Sequence, residues 1–259
     1  MWTIWNDLLQ LFYPRQCLLC ENLLIEGEKQ ICLYCLCDLP HTNYHKRPDN
    51  PMAGLYAGIP QIGETTAFLF FEKEGYTQTL IHALKYYGNK QLAEQLGRSA
   101  SLKMKPDGFF HDIDCLIPVP LHPKKERRRG YNQSEWIARG IASVYQWPVN
   151  REILCRNIHT ATQTRKSRYE RHLNVEKIFT VKDSRALAGK HVLLIDDVVT
   201  TGATTIACIE TLAKVPDIRI SVFALAIVPI LTETGNDSTI QRYPVHSDLH
   251  SECAAYKDL

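Results

Sequence analysis

The chain has 259 residues, 45% of them hydrophobic, enough to bury a sizeable core in one large or two modest domains. No stretch approaches the roughly 18 apolar residues of a membrane span, and the opening MWTIWNDLLQLF, with an aspartate and no basic lead, does not read as a secretion signal. The formal charge of +2 conceals an imbalance: residues 122–172 hold twelve Lys/Arg against four Glu, a local +8 that leaves −6 for the remainder.

Residues 2–12 read as a short amphipathic helix, with Trp2, Trp5, Leu8, Leu9 and Phe12 on one face, expected to pack on its own domain. Cys17-Leu-Leu-Cys20 and Cys32-Leu-Tyr-Cys35 follow, separated by eleven residues. Two residues between thiolates make a knuckle that presents both sulfurs to one ion, and two knuckles complete a closed tetrahedral Zn²⁺ site. With four protein ligands the zinc is structural. A segment this short, with little core, also needs such a staple to fold. Cys37 is an extra cysteine outside the pattern. The pairing favours metal over disulfides, and with it a reducing, cytoplasmic location.

Residues 38–65, rich in Pro, Asn, Gly and His, read as a linker, and 65–72 as a strand. Residues 76–102 predict two helical segments broken at Gly88, with Leu80, Ile81 and Leu84 on the first and Leu92 and Leu96 on the second. Lys85, just before the break, is either solvated or a ligand or DNA contact. A second buried strand begins at Cys115 and stops at Pro118 and Pro120, which cannot continue a ladder. The basic run Lys124, Lys125, Arg127, Arg128 and Arg129 ends at Gly130, and Asn132-Gln133-Ser134 opens an amphipathic helix. A strand is expected over 149–154 and another at the end of the basic segment 156–181. Residues 219–228 form the last strand, and 230–259 read as a polar tail, mobile or weakly docked.

The stretch His191–Thr205, HVLLIDDVVTTGATT, organises the rest. Val192–Ile195 fit a strand buried on both faces of a parallel sheet, and such sheets bind ligands at their carboxyl ends, where Asp196 and Asp197 lie. Gly202 permits close backbone approach, and a helix opening at Ala203 offers unpaired N–H groups to a phosphate. Thr200, Thr201 and Thr204 add hydroxyl donors. Ionised carboxylates only accept hydrogen bonds, so the acidic pair suits ribose hydroxyls, directly or through hydrated Mg²⁺. The chain lacks the G-x-x-x-x-G-K-[ST] loop of nucleotide triphosphatases.

This stretch resembles the phosphoribosyl pyrophosphate (PRPP) loop of the type I phosphoribosyltransferases, which implies ribose contacts for Asp196 and Asp197 and a 5′-phosphate cradle at Thr200, Thr201, Gly202, Ala203 and Thr204. The whole order of parts resembles the ComF family of competence-associated proteins. It comprises the four-cysteine module, the K-Y-x-G-x-x-x-L-A pattern from Lys85 to Ala93 and the P-V-P-L-H opening at Pro118. Next come Arg127, Arg129, Gly130, Tyr131, Asn132 and Gln133, then Thr160 or Thr162 with Gln163, Arg171 and Asn174, and finally the PRPP loop. The resemblance covers about residues 15–228. It implies a type I phosphoribosyltransferase-like α/β fold, a parallel sheet flanked by helices, with a small N-terminal zinc module. The expected division is 1–55 for the module and linker, 56–229 for the α/β domain and 230–259 for the tail.

The resemblance further implies a pyrophosphate site at the turn around Pro118 and Val119 and a closing loop around Arg165, Lys166, Arg168 and Arg171. The segment from Arg127 to Gln133 would flank that loop, with Tyr131 available to stack on a base. The expected function is DNA uptake in natural transformation: binding single-stranded DNA and PRPP with Mg²⁺ in the cytoplasm, beside a DNA-uptake helicase. Two alternatives use the same site. One is an active phosphoribosyltransferase with a nitrogen acceptor, in which the basic residues stabilise departing pyrophosphate without a covalent nucleophile. The other is a PRPP-sensing regulator without turnover.

Overall fold

The computed structural model describes residues 14–157, 178–230 and Tyr256. At its centre is a four-stranded parallel sheet of β1 (Ile62–Phe70), β2 (Cys115–Pro118), β5 (His191–Val199) and β6 (Arg219–Ile227), in the order β1-β6-β5-β2. β6 and most of β5 are buried, as an all-parallel sheet covered on both faces requires. The run Val192–Ile195 pairs with Ile220–Phe223 on one side and Cys115–Pro118 on the other. This is the parallel sheet with flanking helices that the sequence implies, and β5 runs on through both aspartates to Val199.

Helices α3 (Tyr76–Tyr86) and α4 (Lys90–Met104) flank Gly88, whose φ of 65° breaks the run where the sequence predicts. Helix α6 (Gln133–Tyr145) starts at Asn132, whose side chain caps the Ser134 N–H. Helices α4 and α6 meet backbone to backbone. A Cβ at Gly97 would lie 2.2 Å from the Ile137 carbonyl oxygen, and one at Gly140 2.1 Å from that of Glu94, so only glycine fits either place. The basic run, given no secondary structure from the sequence, forms helix α5 (Pro123–Arg129), capped by His122 and ended by Gly130 at φ 78°. The last helix, α7 (Ala203–Leu212), opens at Ala203 as expected.

Residues 38–65 are not a bare linker. Helix α1 (Leu33–Cys37) leads into Leu39–Thr42, which lies along the free edge of β1: His41 bridges Leu69, and Phe70 and Thr42 exchange hydrogen bonds with Pro40 and Phe68. Helix α2 (Pro51–Gly54) is capped by Asn50, whose amide also donates to the Thr65 carbonyl at 2.9 Å. Turn-forming residues here are helix caps, and Tyr44, Met52 and Tyr56 are buried beneath them. At the opposite edge, Leu116 of β2 accepts the Asn150 N–H and donates to Pro148. The strand expected over 149–154 shrinks to this bridge at Val149, followed by β3 (Leu154–Arg156) paired antiparallel with β4 (Phe179–Val181). Tyr256, within the expected tail, is 2% exposed and its hydroxyl lies 3.3 Å from His41 Nε2. The helix expected over 2–12 lies outside the described residues.

Candidate functional site

Asp196 and Asp197 stand at the carboxyl end of β5. Asp196 is buried, and its Oδ1 accepts the Asp197 N–H at 2.9 Å and the Ser134 hydroxyl at 3.4 Å. Burial first, and the charge of Asp197 second, push the Asp196 carboxyl up to about 8, which favours its protonated form. Asp197 is half-buried; its Oδ1 accepts the Val198 N–H at 2.8 Å and its Oδ2 lies 3.5 Å from Lys85 Nζ.

Beyond the pair the chain turns through Thr200, Thr201 and Gly202 into α7. Gly202 has φ 75°, which favours glycine, and a Cβ there would also press on Leu55 Cδ1 at 3.3 Å. Thr205 fixes it from below: its hydroxyl donates to the Gly202 carbonyl at 2.8 Å and lies 2.9 Å from the Tyr56 hydroxyl. No side chain caps α7, and Thr200, Thr201, Ala203 and Thr204 face solvent. The first-turn N–H groups are therefore open to solvent and, with the helix dipole, could take an anion.

A cleft of about 160 Å³ joins this turn to the basic segment. Its walls bring together Lys85, Val119, Arg129 and Gln133 from the sequence expectation with Asp196, Asp197 and Thr204, and add Lys125, Asn132, Ser134 and Arg156. Four cations thus surround two carboxylates. Arg129 donates to Gln133 Oε1 at 2.7 Å, while its buried Nε has no partner among the described residues. Arg156, on β3, holds its guanidinium 5.4 Å from the centre of the Phe179 ring. Only its basic character marked it in the sequence, since β3 pairing brings it to the cleft from a distant, polar segment.

Other expected residues fall elsewhere. Pro118 is buried within β2, and Arg127 is exposed on α5 outside the cleft. Tyr131 is 4% exposed and its hydroxyl donates to the Leu84 carbonyl, so its ring ties α3 to the start of α6 and is not available to stack on a base. Gln133 Nε2 donates to the same carbonyl at 3.3 Å. Arg165, Lys166, Arg168 and Arg171 lie outside the described residues.

The second site is the cysteine cluster. One sulfur from each of Cys17, Cys20, Cys32 and Cys35 lies within 4.8 Å of the others, while Cys37, against the expectation of metal rather than disulfides, is disulfide-bonded. Amide N–H groups of Leu19 and Cys32 point at Cys17 Sγ, at 3.5 and 3.4 Å, and that of Cys35 at Cys32 Sγ, at 3.4 Å. Burial alone would push the Cys17 thiol up, but amide donors outweigh it and bring it down to about 7. Burial pushes Cys32 up to about 11 and Cys35 further. Four convergent sulfurs with amide donors fit a tetrahedral metal such as zinc. The module is held by amide side chains: Gln95 of α4 accepts the Gln30 N–H at 3.0 Å and donates to the Ile31 carbonyl at 3.2 Å.

No family model matches the chain. It is 30% identical to competence protein F of Haemophilus influenzae over 151 residues, 57% of this chain and 66% of that one. DNA utilization protein YhgH of Escherichia coli O157:H7 is 30% identical over 138 residues, 52% of this chain and 60% of its own. Competence protein ComFC of Bacillus subtilis is 35% identical over 102 residues, 39% of this chain and 38% of its own. The chain thus spans less than two thirds of the length of these relatives. Among solved structures, an adenine phosphoribosyltransferase covers 56% of this chain and 75% of its own, at 16% identity and a TM-score of 0.36.

Proposed function

We propose, for a chain that belongs to the ComF family of competence-associated proteins, the binding of PRPP and single-stranded DNA during DNA uptake. The observation that carries this reading is the cleft itself: Lys85, Lys125, Arg129 and Arg156 around Asp196 and Asp197, beside an uncapped helix N-terminus. A plain DNA-binding groove has no use for two carboxylates, and a plain sugar site has no use for four cations. A sugar carrying a phosphate and a diphosphate uses both.

In this reading Thr200, Thr201, Thr204 and the first N–H groups of α7 donate to the 5′-phosphate. The two aspartates accept from the ribose hydroxyls, and the four cations neutralise the diphosphate. Mg²⁺, bound with the ligand, supplies further positive charge there. Lys85 then leaves Asp197 for the diphosphate, and Asp196 gives up its proton. The exposed Lys124, Arg127 and Arg128 of α5 meet DNA phosphates, a contact that weakens steeply with salt. No helix among the described residues is long and apolar enough to cross a membrane. In this reading the protein works on the cytoplasmic side, next to the helicase that draws DNA in.

Calorimetric titration of zinc-loaded protein with PRPP and Mg²⁺ tests the reading. Binding by the wild type and its loss in Asp196→Asn/Asp197→Asn are expected. A wild type that takes no PRPP overturns the phosphosugar site, and turnover with any nitrogen acceptor would replace binding with transfer as the function.

A further inference from the structure

Helix α3 ends in Tyr86, and Tyr87 and Gly88 follow. Tyr86 and Tyr87 are 62% and 73% exposed, more than any other aromatic residue among those described. They are not loose. His82, one turn back, holds its ring 4.6 Å from that of Tyr86, tilted by 36°, and 5.3 Å from that of Tyr87, edge-on at 75°. The Tyr87 N–H closes the helix on the Ala83 carbonyl at 3.1 Å. Both Tyr131 and Gln133 anchor the preceding Leu84 carbonyl. Two large rings are thus held at the surface on a rigid helix end, with little side-chain entropy left to lose on binding.

Their surroundings are mainly cationic, with Glu74 the acidic residue in the adjoining hollow. Gly88 brings the turn against the end of α5: a Cβ on it would lie 3.9 Å from the Arg129 carbonyl oxygen. The neighbouring helix exposes Lys124, Lys125, Arg127 and Arg128. On the other side Tyr86 lines an open hollow of about 450 Å³ with Phe71, Lys73, Glu74, Ile81, His82 and Lys85. An apolar protein partner would meet a cationic rim. A nucleic-acid strand offers the complement of both features, a planar face on each base and a negative charge on each phosphate.

We infer that Tyr86 and Tyr87, ordered by His82, are the surface on which bases of single-stranded DNA stack, while the exposed cations of α5 take the adjoining phosphates. The inference rests on the DNA-binding reading above and names the residues that supply its base contacts, a role that buried Tyr131 cannot fill. Stacking on rings is indifferent to base identity, so binding is sequence-tolerant.

The test compares, by fluorescence anisotropy on the full zinc-loaded chain, a 20-nucleotide oligo-dT and an abasic strand of equal length and charge. The wild type is expected to bind oligo-dT roughly a hundredfold tighter, about tenfold for each ring. Tyr86→Ala/Tyr87→Ala should lower oligo-dT affinity roughly tenfold per ring, to the abasic level, with abasic and PRPP affinities and the melting temperature unchanged. Tyr86→Phe/Tyr87→Phe should restore the preference. Equal wild-type affinity for the two strands overturns the inference, as does an alanine variant that keeps the preference or loses affinity for both strands alike. In each of those cases salt-sensitive wild-type binding leaves the DNA reading standing. A wild type that binds neither strand overturns both.

Discussion

Lys85 Nζ stands 3.5 Å from Asp197 Oδ2, joining the last turn of α3 to the carboxyl end of β5. The contact balances the charge of Asp197 beside an Asp196 whose carboxyl is pushed toward its neutral form. In the proposed reading a diphosphate competes for the same ammonium group, and this ion pair is the contact that ligand binding would exchange.

Lys85→Ala is therefore expected to weaken PRPP binding roughly tenfold or more, the usual worth of a charge-assisted contact, while barely changing affinity for ribose 5-phosphate, which lacks the diphosphate. Calorimetry with both ligands measures the split. Equal losses for the two would assign Lys85 to the architecture of the acidic pair alone.

The proton on Asp196 makes stability depend on pH. Its carboxyl titrates near 8 in the folded chain and near 4 in an unfolded one, so between these values the folded state binds the extra proton. Stability then falls as pH rises from about 4 to 8 and levels off above. Asp196→Asn should remove this slope and melt several degrees above the wild type at pH 9, at roughly 2–4 °C per kcal/mol for a chain of this size. The gap should narrow toward pH 4. Melting curves from pH 4 to 9 test the sign, and a gap that widens toward acid would refute a buried, protonated Asp196.

Removal of metal should be felt throughout the molecule. Cys17, Cys32, Cys35 and Leu36 share one apolar core with Leu80, Leu92 and Phe223, so the module does not come loose on its own. One zinc per chain is expected by metal analysis. Chelation or Cys20→Ser should lower the single melting transition by more than about 10 °C. A separate low-temperature transition with the main one unmoved would show an independently folding module.

Gly97→Ala should be among the most damaging small substitutions, because its methyl group meets the Ile137 backbone and not a yielding side chain. Separating α4 from α6 is expected to cost about 1–3 kcal/mol or more. PRPP affinity should fall with it, since Asn132, Gln133 and Ser134 at the start of α6 line the cleft. Undiminished stability would mean that the helices separate freely.

Local chemistry was legible in the sequence. The buried run Val192–Ile195, the acidic pair, the Thr/Gly turn and the cysteine spacing each impose a conformation within a few residues, and each has it. What the sequence leaves open depends on tertiary pairing. Arg156 reaches the cleft only because β3 carries it there, and a bond to Leu84 decides that Tyr131 is inside. Residues 38–65 mislead for a related reason. Asn and Pro mark chain reversals equally well in a linker and at the caps of short helices, and only the bonds of Asn50 distinguish the two.

Leu39–Thr42 lies along β1, and Pro148–Asn150 along β2, at the two outer strands of the central sheet. Strand addition, the commonest way for an extended peptide or a second subunit to join a sheet, is closed where these segments sit. At these two edges of the central sheet a companion must instead grip side chains, so its affinity there will answer to surface substitutions one residue at a time.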